Sequence, residues 1–329
     1  MQNKFRVDMR IAPVDDWPVL AEFYSKLAHD LRSRGVDSLT TGGVACVLYS
    51  LTQKTKDCDI VIPIAKVKEV LEVLAKTEIR GHDCRLTVKY GAPFDERWLN
   101  GGWSTHTYFG PSSIPIARVD FFGNPPRVSR LDSDEDSLFL SRDGVARMKK
   151  TRREKDWAFA NLLGEQMLLR GDSAGLLHVT DPERLNSAVQ KTVVTPSLLL
   201  ERPLLQLALD GNPELKRYLK AEKNFWSTLD DLRLKTYERA WTPYGEIVQN
   251  DQSLLHMRLE EQNLALTEIA EKTLEPDPLG TVGWQTLIEK AKQETSETFH
   301  DIELRLLPSP NSFFGRNDGS PGGQNDPEL

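Results

Sequence analysis

Three aspartates stand at spacings that could support phosphoryl-group chemistry. Asp57 and Asp59 are separated by one residue in an apolar run typical of a strand, so both carboxylates are predicted to project from one face. Two carboxylates on one face repel each other unless a cation joins them. Mg²⁺ (or Mn²⁺) is the natural partner, because it accepts one or two carboxylates together with phosphate oxygens. Asp120, in a later β-branched and aromatic strand, could complete a two-metal site that activates a hydroxyl and stabilises leaving pyrophosphate.

A Gly-Gly pair precedes these aspartates and opens a predicted helix. Gly42 and Gly43 carry no side chain, so their backbone N–H groups could approach phosphates at a helix N-terminus. The hydroxyl of Thr41 could add one more donor. Taken alone, the pair is more typical of a plain strand-to-helix turn, and Asp57 and Asp59 alone fit a solvated strand end equally well. The prediction of a nucleotide site therefore depends on the combination.

The elements that must position these residues follow an alternating helix and strand order. Apolar residues recur at helical or strand spacing through the first half of the chain. The resulting helices are predicted over 17–34, from Gly42, from about Val67 and over the strongly basic stretch 144–169. The resulting strands are predicted over 38–41, 57–62, 85–90 and 114–122, with a loop or hairpin over 91–110.

The second half of the chain shows helical patterns alone. They cover residues 198–209, 213–232, 253–270 and 283–306. We therefore predict an α+β fold, in which a small mixed sheet flanked by helices is followed by a mostly helical region. The predicted domains are 1–172, which carries the aspartates, and 173–307, which is helical. Residues 308–329 are rich in Gly, Pro, Asn and Ser and are predicted to be a disordered tail.

The order Gly-Gly, Asp-x-Asp and a later single Asp resembles the nucleotidyltransferase fold of the DNA polymerase β superfamily. Residues 55–59, Thr-Lys-Asp-Cys-Asp, are similar to the threonine-x-Asp-x-Asp form of small bacterial members. Residues 148–156, Met-Lys-Lys-Thr-Arg-Arg-Glu-Lys-Asp, resemble the Lys-rich helix of AbiEii-like minimal nucleotidyltransferases. The resemblance covers roughly residues 20–170. Gly43 stands where many members have a serine that contacts phosphate, as it does in a substantial subset.

This resemblance implies a role for each matching residue. Asp57 and Asp59 would bind metal, and Asp120 would be the third metal-binding carboxylate and a candidate base for the acceptor hydroxyl. Lys149 would contact the triphosphate, with Asp156 orienting the basic groups around it. The full set implied to bind the nucleotide is Thr41, Gly42, Gly43, Lys149, Lys150 and Arg153.

The activity implied by the resemblance is transfer of a nucleoside monophosphate from an NTP to an acceptor hydroxyl, with release of pyrophosphate. The acceptor could be an RNA end such as that of a tRNA, a protein or a small molecule. A toxin or defence component paired with an antitoxin would use the same residues. The alternative is a catalytically silent nucleotide-binding module of the same fold, which regulates a partner through its helical half.

The composition is that of an ordinary globular protein, with 39% hydrophobic and 28% charged residues. No apolar run is long enough for a membrane span, and the first residues lack the apolar segment of a signal peptide, so we expect a cytoplasmic protein. Its three cysteines show no CxxC spacing, which disfavours disulfides and thiolate zinc sites. The whole chain has a net charge of −7, but residues 1–170 carry 26 Lys/Arg against 23 Asp/Glu. This mildly basic half contains the aspartates and suits a polyphosphate ligand.

Overall fold

A six-stranded mixed sheet in the first half of the chain organises the fold. The computed structural model of the protein describes residues 16–128, 131–134 and 136–308. The strands are β1 (Leu39–Thr41), β2 (Cys58–Val61), β3 (Glu78–Ile79), β4 (His82–Leu86), β5 (Ser104–Phe109) and β6 (Ala117–Phe122). Their order across the sheet is β1-β2-β6-β5-β4-β3. β2 and β6 pair in parallel, and the other neighbours are antiparallel. The predicted α+β class is confirmed.

The two faces of the sheet have different environments. In β6 the side chains of Val119 and Phe121 are fully buried, whereas the alternating residues Arg118 and Asp120 are half-buried. Successive side chains of a strand point to opposite faces of the sheet, so this alternation is expected where one face packs against the apolar core. The other face is therefore free to carry polar side chains.

Helices surround the sheet in the first half of the chain. α1 (Trp17–Ser33) packs on the core through Leu27 and Leu31, and Gly35 follows its C-cap with a φ of 77°, which suits the left-handed turn after a helix. Between β2 and α3, residues Ile64–Lys66 form a single 3-10 turn. The helices are α1 (Trp17–Ser33), α2 (Gly42–Leu48), α3 (Val67–Leu74), α4 (Glu96–Asn100), α5 (Arg142–Met148) and α6 (Glu154–Leu169).

The predicted boundaries are wrong in the middle of the sheet. β4 ends at Leu86, so the predicted strand over 85–90 is mostly irregular. The predicted loop over 91–110 contains α4 and β5. Here Asp95 accepts a hydrogen bond from the backbone N–H of Arg97 and so caps α4. The segment around β5 is rich in glycine, which favours turns. β5 is nevertheless a strand, because it pairs with both β4 and β6.

The predicted basic helix over 144–169 is broken into α5 and α6. Arg127 reaches the end of α5 and donates hydrogen bonds to the carbonyl oxygens of Arg147 and Met148 at 2.9 and 3.1 Å. These carbonyls are left without intrahelical partners where α5 stops, and a guanidinium satisfies them. The break cannot be read from the local sequence, because Arg127 is distant along the chain.

The second half of the chain is helical, as predicted, and carries two short helices that the pattern did not indicate. α7 and α12 each begin with an Asp-Pro pair, in which Asp181 or Asp277 caps the helix through its carboxylate. α10 continues through Pro243 rather than ending near residue 232. The helices are α7 (Pro182–Val189), α8 (Pro196–Glu201), α9 (Leu205–Leu209), α10 (Leu215–Asn250), α11 (Leu259–Thr273), α12 (Pro278–Val282) and α13 (Trp284–Thr298).

The helical half shares a core with the sheet. Trp241 and Val248 of α10 and Leu266 of α11 are buried in the same apolar cluster as Ile60 and Phe121 of the sheet. The first half of α10 instead packs against α12 and α13. The domain limit at residue 172 stays a prediction, and this packing shows that helices beyond it complete the core of the sheet.

Within the described part of the chain, no helix combines the length and apolarity needed to cross a membrane. The three cysteines, Cys46, Cys58 and Cys84, are buried free thiols. Of the predicted tail over 308–329, only Pro308 belongs to the described residues, so the prediction of disorder lies outside them.

Candidate active site

A row of polar side chains crosses the half-exposed face of the sheet. Thr41 is the register partner of Asp59, Asp59 of Asp120, and Asp120 of His106. Directly opposed residues point to the same face of a sheet, so these four side chains lie in one row across β1, β2, β6 and β5. Asp57 precedes β2 and lies two residues before Asp59. The fold therefore brings the three predicted aspartates together, and we call these five residues the aspartate row.

Asp59 is a carboxylate of this row whose charged form is disfavoured by its surroundings. Burial raises the pKa of Asp59 to about 7, and the negative charges of Asp120 and Asp57 contribute to this rise. Lys149 and His106 act in the opposite direction, so both lie within electrostatic range of this carboxylate. The arrangement is one in which an added cation would favour the ionised form of Asp59.

The Gly-Gly pair is explained by close packing against this row. A methyl group on Gly42 would overlap the carboxylate of Asp59, and one on Gly43 would overlap the hydroxyl of Thr55. Gly42 also has a φ of 61°, which disfavours other residues. The sequence predicts that both glycines allow the approach of phosphates. In the structure, the absence of side chains at both positions lets α2 and β1 pack directly against Asp59 and Thr55.

Side-chain contacts hold the segment that leads into Asp57. The Thr55 hydroxyl donates to Asp57 Oδ1 at 3.2 Å, and the Tyr24 hydroxyl of α1 donates to the carbonyl oxygen of Lys56 at 3.4 Å. The hydroxyl of Thr41 is buried and lies 3.4 Å from the sulfur of Met148. Thr41 therefore connects β1 to α5, and its hydroxyl points at a side chain in this structure.

Lys149 lies in the turn between α5 and α6, beside the aspartate row. Its ammonium is 3.5 Å from Asp156 Oδ1, and the other carboxylate oxygen of Asp156 accepts from Thr151 Oγ1 at 2.8 Å and from Arg153 Nε at 2.6 Å. Asp156 is buried, whereas 58% of the Arg153 side chain is exposed. Asp156 thus holds basic groups of the turn together, and Arg153 lies at its outer edge.

Lys150 is directed away from the aspartates. Its ammonium donates to the carbonyl oxygen of Leu177 at 3.0 Å and lies 5.2 Å from the ring centre of Trp226. It lines a separate cavity with Arg127 and Arg202, and burial there lowers the pKa of Lys150 to about 8. The fold therefore separates the two adjacent lysines that the sequence placed in one nucleotide-binding set.

His106 is the residue of the row that the sequence motifs do not indicate. Its Nδ1 lies 2.8 Å from Asp120 Oδ1, and its Nε2 lies 2.8 Å from the hydroxyl of Ser104. The ring of Tyr90 meets it edge-on at 4.5 Å between ring centres. The alternation of β5 could have placed His106 on one face, but its register against Asp120 depends on strand pairing that the sequence does not reveal.

Carboxylate oxygens, the type of ligand that Mg²⁺ prefers, are present at the row. Asp57 and Asp59 supply such oxygens, while one oxygen of Asp120 is already in contact with His106. Among the described residues, no group of three or more His, Cys, Asp or Glu side chains is positioned to hold a metal ion together. Mg²⁺ needs only one or two carboxylates when substrate phosphates and water complete its shell, so Asp57 and Asp59 fit it in chemical type.

Comparison of the chain with protein-family models, with curated proteins and with solved structures returned no match.

Proposed function

We propose that the protein is a metal-dependent nucleotidyltransferase that moves a nucleoside monophosphate from an NTP to an acceptor hydroxyl. The observation that supports this most strongly is the register of Asp59 between Thr41 and Asp120, with Gly42 against its carboxylate and Lys149 within electrostatic range. The row supplies acidic groups for a cation, and Lys149 beside it supplies a positive charge for a polyphosphate. Nucleotidyl transfer uses both kinds of group.

The chemistry needs positioning and charge neutralisation rather than a protein nucleophile. The acceptor oxygen forms a bond to the α-phosphorus, the bond from that phosphorus to the bridging oxygen breaks, and pyrophosphate leaves. Asp120 takes the proton of the acceptor hydroxyl, and Lys149 binds the phosphates that become pyrophosphate. A divalent cation bound by Asp57 and Asp59 would neutralise phosphate oxygens during this displacement.

Calorimetry with each NTP, in the presence and absence of Mg²⁺, tests the proposal at the binding step. We expect binding that requires Mg²⁺ and is lost in the Asp57→Ala/Asp59→Ala variant. Asp37→Ala is the matched control, because Asp37 is exposed and lies outside the row. An unchanged heat of binding in the double variant, or no binding by the wild type, would remove the basis for the proposal.

A catalytically silent nucleotide-binding module is the second candidate. It is favoured by the contact between His106 Nδ1 and Asp120 Oδ1, which occupies an oxygen of the residue assigned as base. The two candidates differ in one result: a silent module binds NTP with Mg²⁺ but transfers no label from any NTP. A toxin role with an antitoxin partner is supported by the resemblance alone. It predicts that expression is toxic and that Asp57→Ala relieves the toxicity.

A further inference from the structure

A cleft lies beside His106, on the same sheet face as the aspartate row. Tyr108 and Arg118 are register partners, and each lies two residues along its strand from His106 or Asp120. The cleft is lined by these residues together with Lys89 and Tyr90, and by Leu255 from the helical half. The cleft is open to solvent, and its space counted together with that solvent is about 370 Å³. We call it the His106 cleft.

The lining of the His106 cleft is basic and aromatic. Lys89 and Arg118 supply two positive charges, and Tyr90 and Tyr108 supply two rings besides the imidazole of His106. None of the described residues that line it carries a carboxylate. Guanidinium and ammonium groups recognise phosphate oxygens, and aromatic rings stack on planar bases. The chemistry therefore matches a ligand that has both a planar ring and a phosphate.

The cleft lies on a different side of the aspartate row from Lys149. The strand order places Thr41 and the glycine pair at the β1 edge, whereas the cleft lies over β6, β5 and the segment after β4. In an in-line displacement the attacking oxygen and the leaving pyrophosphate are on opposite sides of the phosphorus. With pyrophosphate bound near Lys149, the acceptor must approach Asp120 from the other side, where the cleft lies.

We infer that the His106 cleft is the acceptor subsite and that it binds one nucleotide unit, with its phosphate at Lys89 and its base against Tyr90. This inference rests on the proposed function. The unit can belong to a free mononucleotide or to the end of an RNA chain, which present the same ring and phosphate.

Binding of acceptor probes to the full-length chain in EDTA tests the inference. The probes are the four nucleoside 5′-monophosphates, ribose 5-phosphate, which lacks the base, and a short single-stranded oligoribonucleotide. We expect a nucleotide probe to bind without divalent cations, equally well in the wild type and in Asp57→Ala, and ribose 5-phosphate to bind less tightly. The preferred probe, mononucleotide or oligoribonucleotide, identifies the source of the unit.

The matched variants are Lys89→Glu and Lys290→Glu. Lys89 lines the cleft, whereas Lys290 is exposed on α13. We expect Lys89→Glu to weaken nucleotide-probe binding about tenfold or more, the loss typical of one charge-assisted phosphate contact, with no change in Lys290→Glu. Equal binding by the two variants, no metal-independent binding of any probe, or binding that disappears in Asp57→Ala would overturn the inference.

The two proposals fail in different experiments. Loss of the acceptor inference leaves Mg²⁺-dependent NTP binding intact in both the wild type and Lys89→Glu. Loss of the proposed function appears as absent NTP binding in the wild type, whatever the acceptor probes do. The EDTA and Mg²⁺ titrations on the same protein sample therefore separate them.

Discussion

Gly42 packs so closely on Asp59 that any side chain at residue 42 would overlap the Asp59 carboxylate. Gly42 begins α2 directly after β1, and Asp59 is the central carboxylate of the row. The glycine thus determines where the carboxylate lies. This relationship connects the two sequence motifs that first indicated nucleotide chemistry.

The Gly42→Ala variant should lose nucleotidyl transfer, because the new methyl group displaces the Asp59 carboxylate. The positive φ of Gly42 adds backbone strain in the variant, which should lower the free energy of unfolding by about 1–3 kcal/mol. Gly35→Ala is the control, since Gly35 also has a positive φ but a methyl group there would meet open space. Both variants should be destabilised in urea unfolding. Equal retention of transfer activity by both would contradict the role given to Gly42.

Lys149 and Lys150 are adjacent in sequence and should have separate effects. Lys149→Met removes a positive charge that acts on Asp59 and should raise the dissociation constant for Mg²⁺–NTP about tenfold or more. Lys150→Met leaves the aspartate row untouched, because the Lys150 ammonium contacts Leu177 and Trp226 instead. Its NTP affinity should stay within about twofold of the wild type. The reverse order of effects, measured by calorimetry, would show that the nucleotide binds on the Lys150 side.

His178 should make the protein sensitive to acid. It is fully buried, its Nε2 lies 2.7 Å from Asp143, and Lys150 and Arg147 add positive charge nearby. Burial lowers the pKa of His178 to about 3, whereas an unfolded histidine titrates near pH 6.5. Between these values only the unfolded state binds the proton. The contribution to stability is therefore complete above about pH 6.5 and is lost as the pH falls.

The magnitude follows from proton linkage and amounts to about 1.4 kcal/mol per pH unit below about pH 6. Denaturant unfolding at several pH values measures it. His178→Asn should show a flatter pH dependence than the wild type, while the exposed His29→Asn control should follow the wild type. Parallel curves for wild type and His178→Asn would show that this histidine is already protonated in the native state.

The buried ion pair of Arg202 and Glu222 should be the main polar support of the helical half. Arg202 Nη2 lies 2.6 Å from Glu222 Oε2, and Nη1 donates to the carbonyl oxygens of Leu176 and Val179 at 2.6 and 2.8 Å. Arg202→Met should cost about 3–5 kcal/mol in unfolding free energy, because Glu222 is left buried without a counter-charge. The Arg202→Met/Glu222→Leu variant should be more stable than Arg202→Met alone. A double variant less stable than that single one would show that the pair acts mainly through its packing.

Local sequence signals were enough for the elements that carry the aspartates. The spacing of Asp57 and Asp59, the glycine pair and the turn at Gly35 each reflect a short-range constraint, and α1, α2, β1 and β2 lie close to their predicted positions. The fold class followed from the same order of elements. These features depend on neighbours in sequence, so the sequence contains them.

The contacts that complete the site depend on distant residues and could not be predicted. His106 reaches Asp120 only because β5 and β6 pair in one register. Arg127 lies in a loop that precedes α5 in the chain, and it donates a hydrogen bond to a backbone carbonyl at the end of α5. The separation of Lys149 from Lys150 follows from that helix end. The burial of Trp241 in the core of the sheet likewise depends on the direction in which α10 runs.

The most direct test of the central claim compares NTPs labelled at the α-phosphate with NTPs labelled at the γ-phosphate. Each is incubated with Mg²⁺, a cell extract as the source of acceptor, and either the wild type, Asp57→Ala/Asp59→Ala or the Asp37→Ala control. We predict that the wild type and the control transfer the α-label to an acceptor and release the γ-label as pyrophosphate, and that the double variant does neither. Transfer of the γ-label to the acceptor, or equal α-labelling by the wild type and the double variant, would contradict the account.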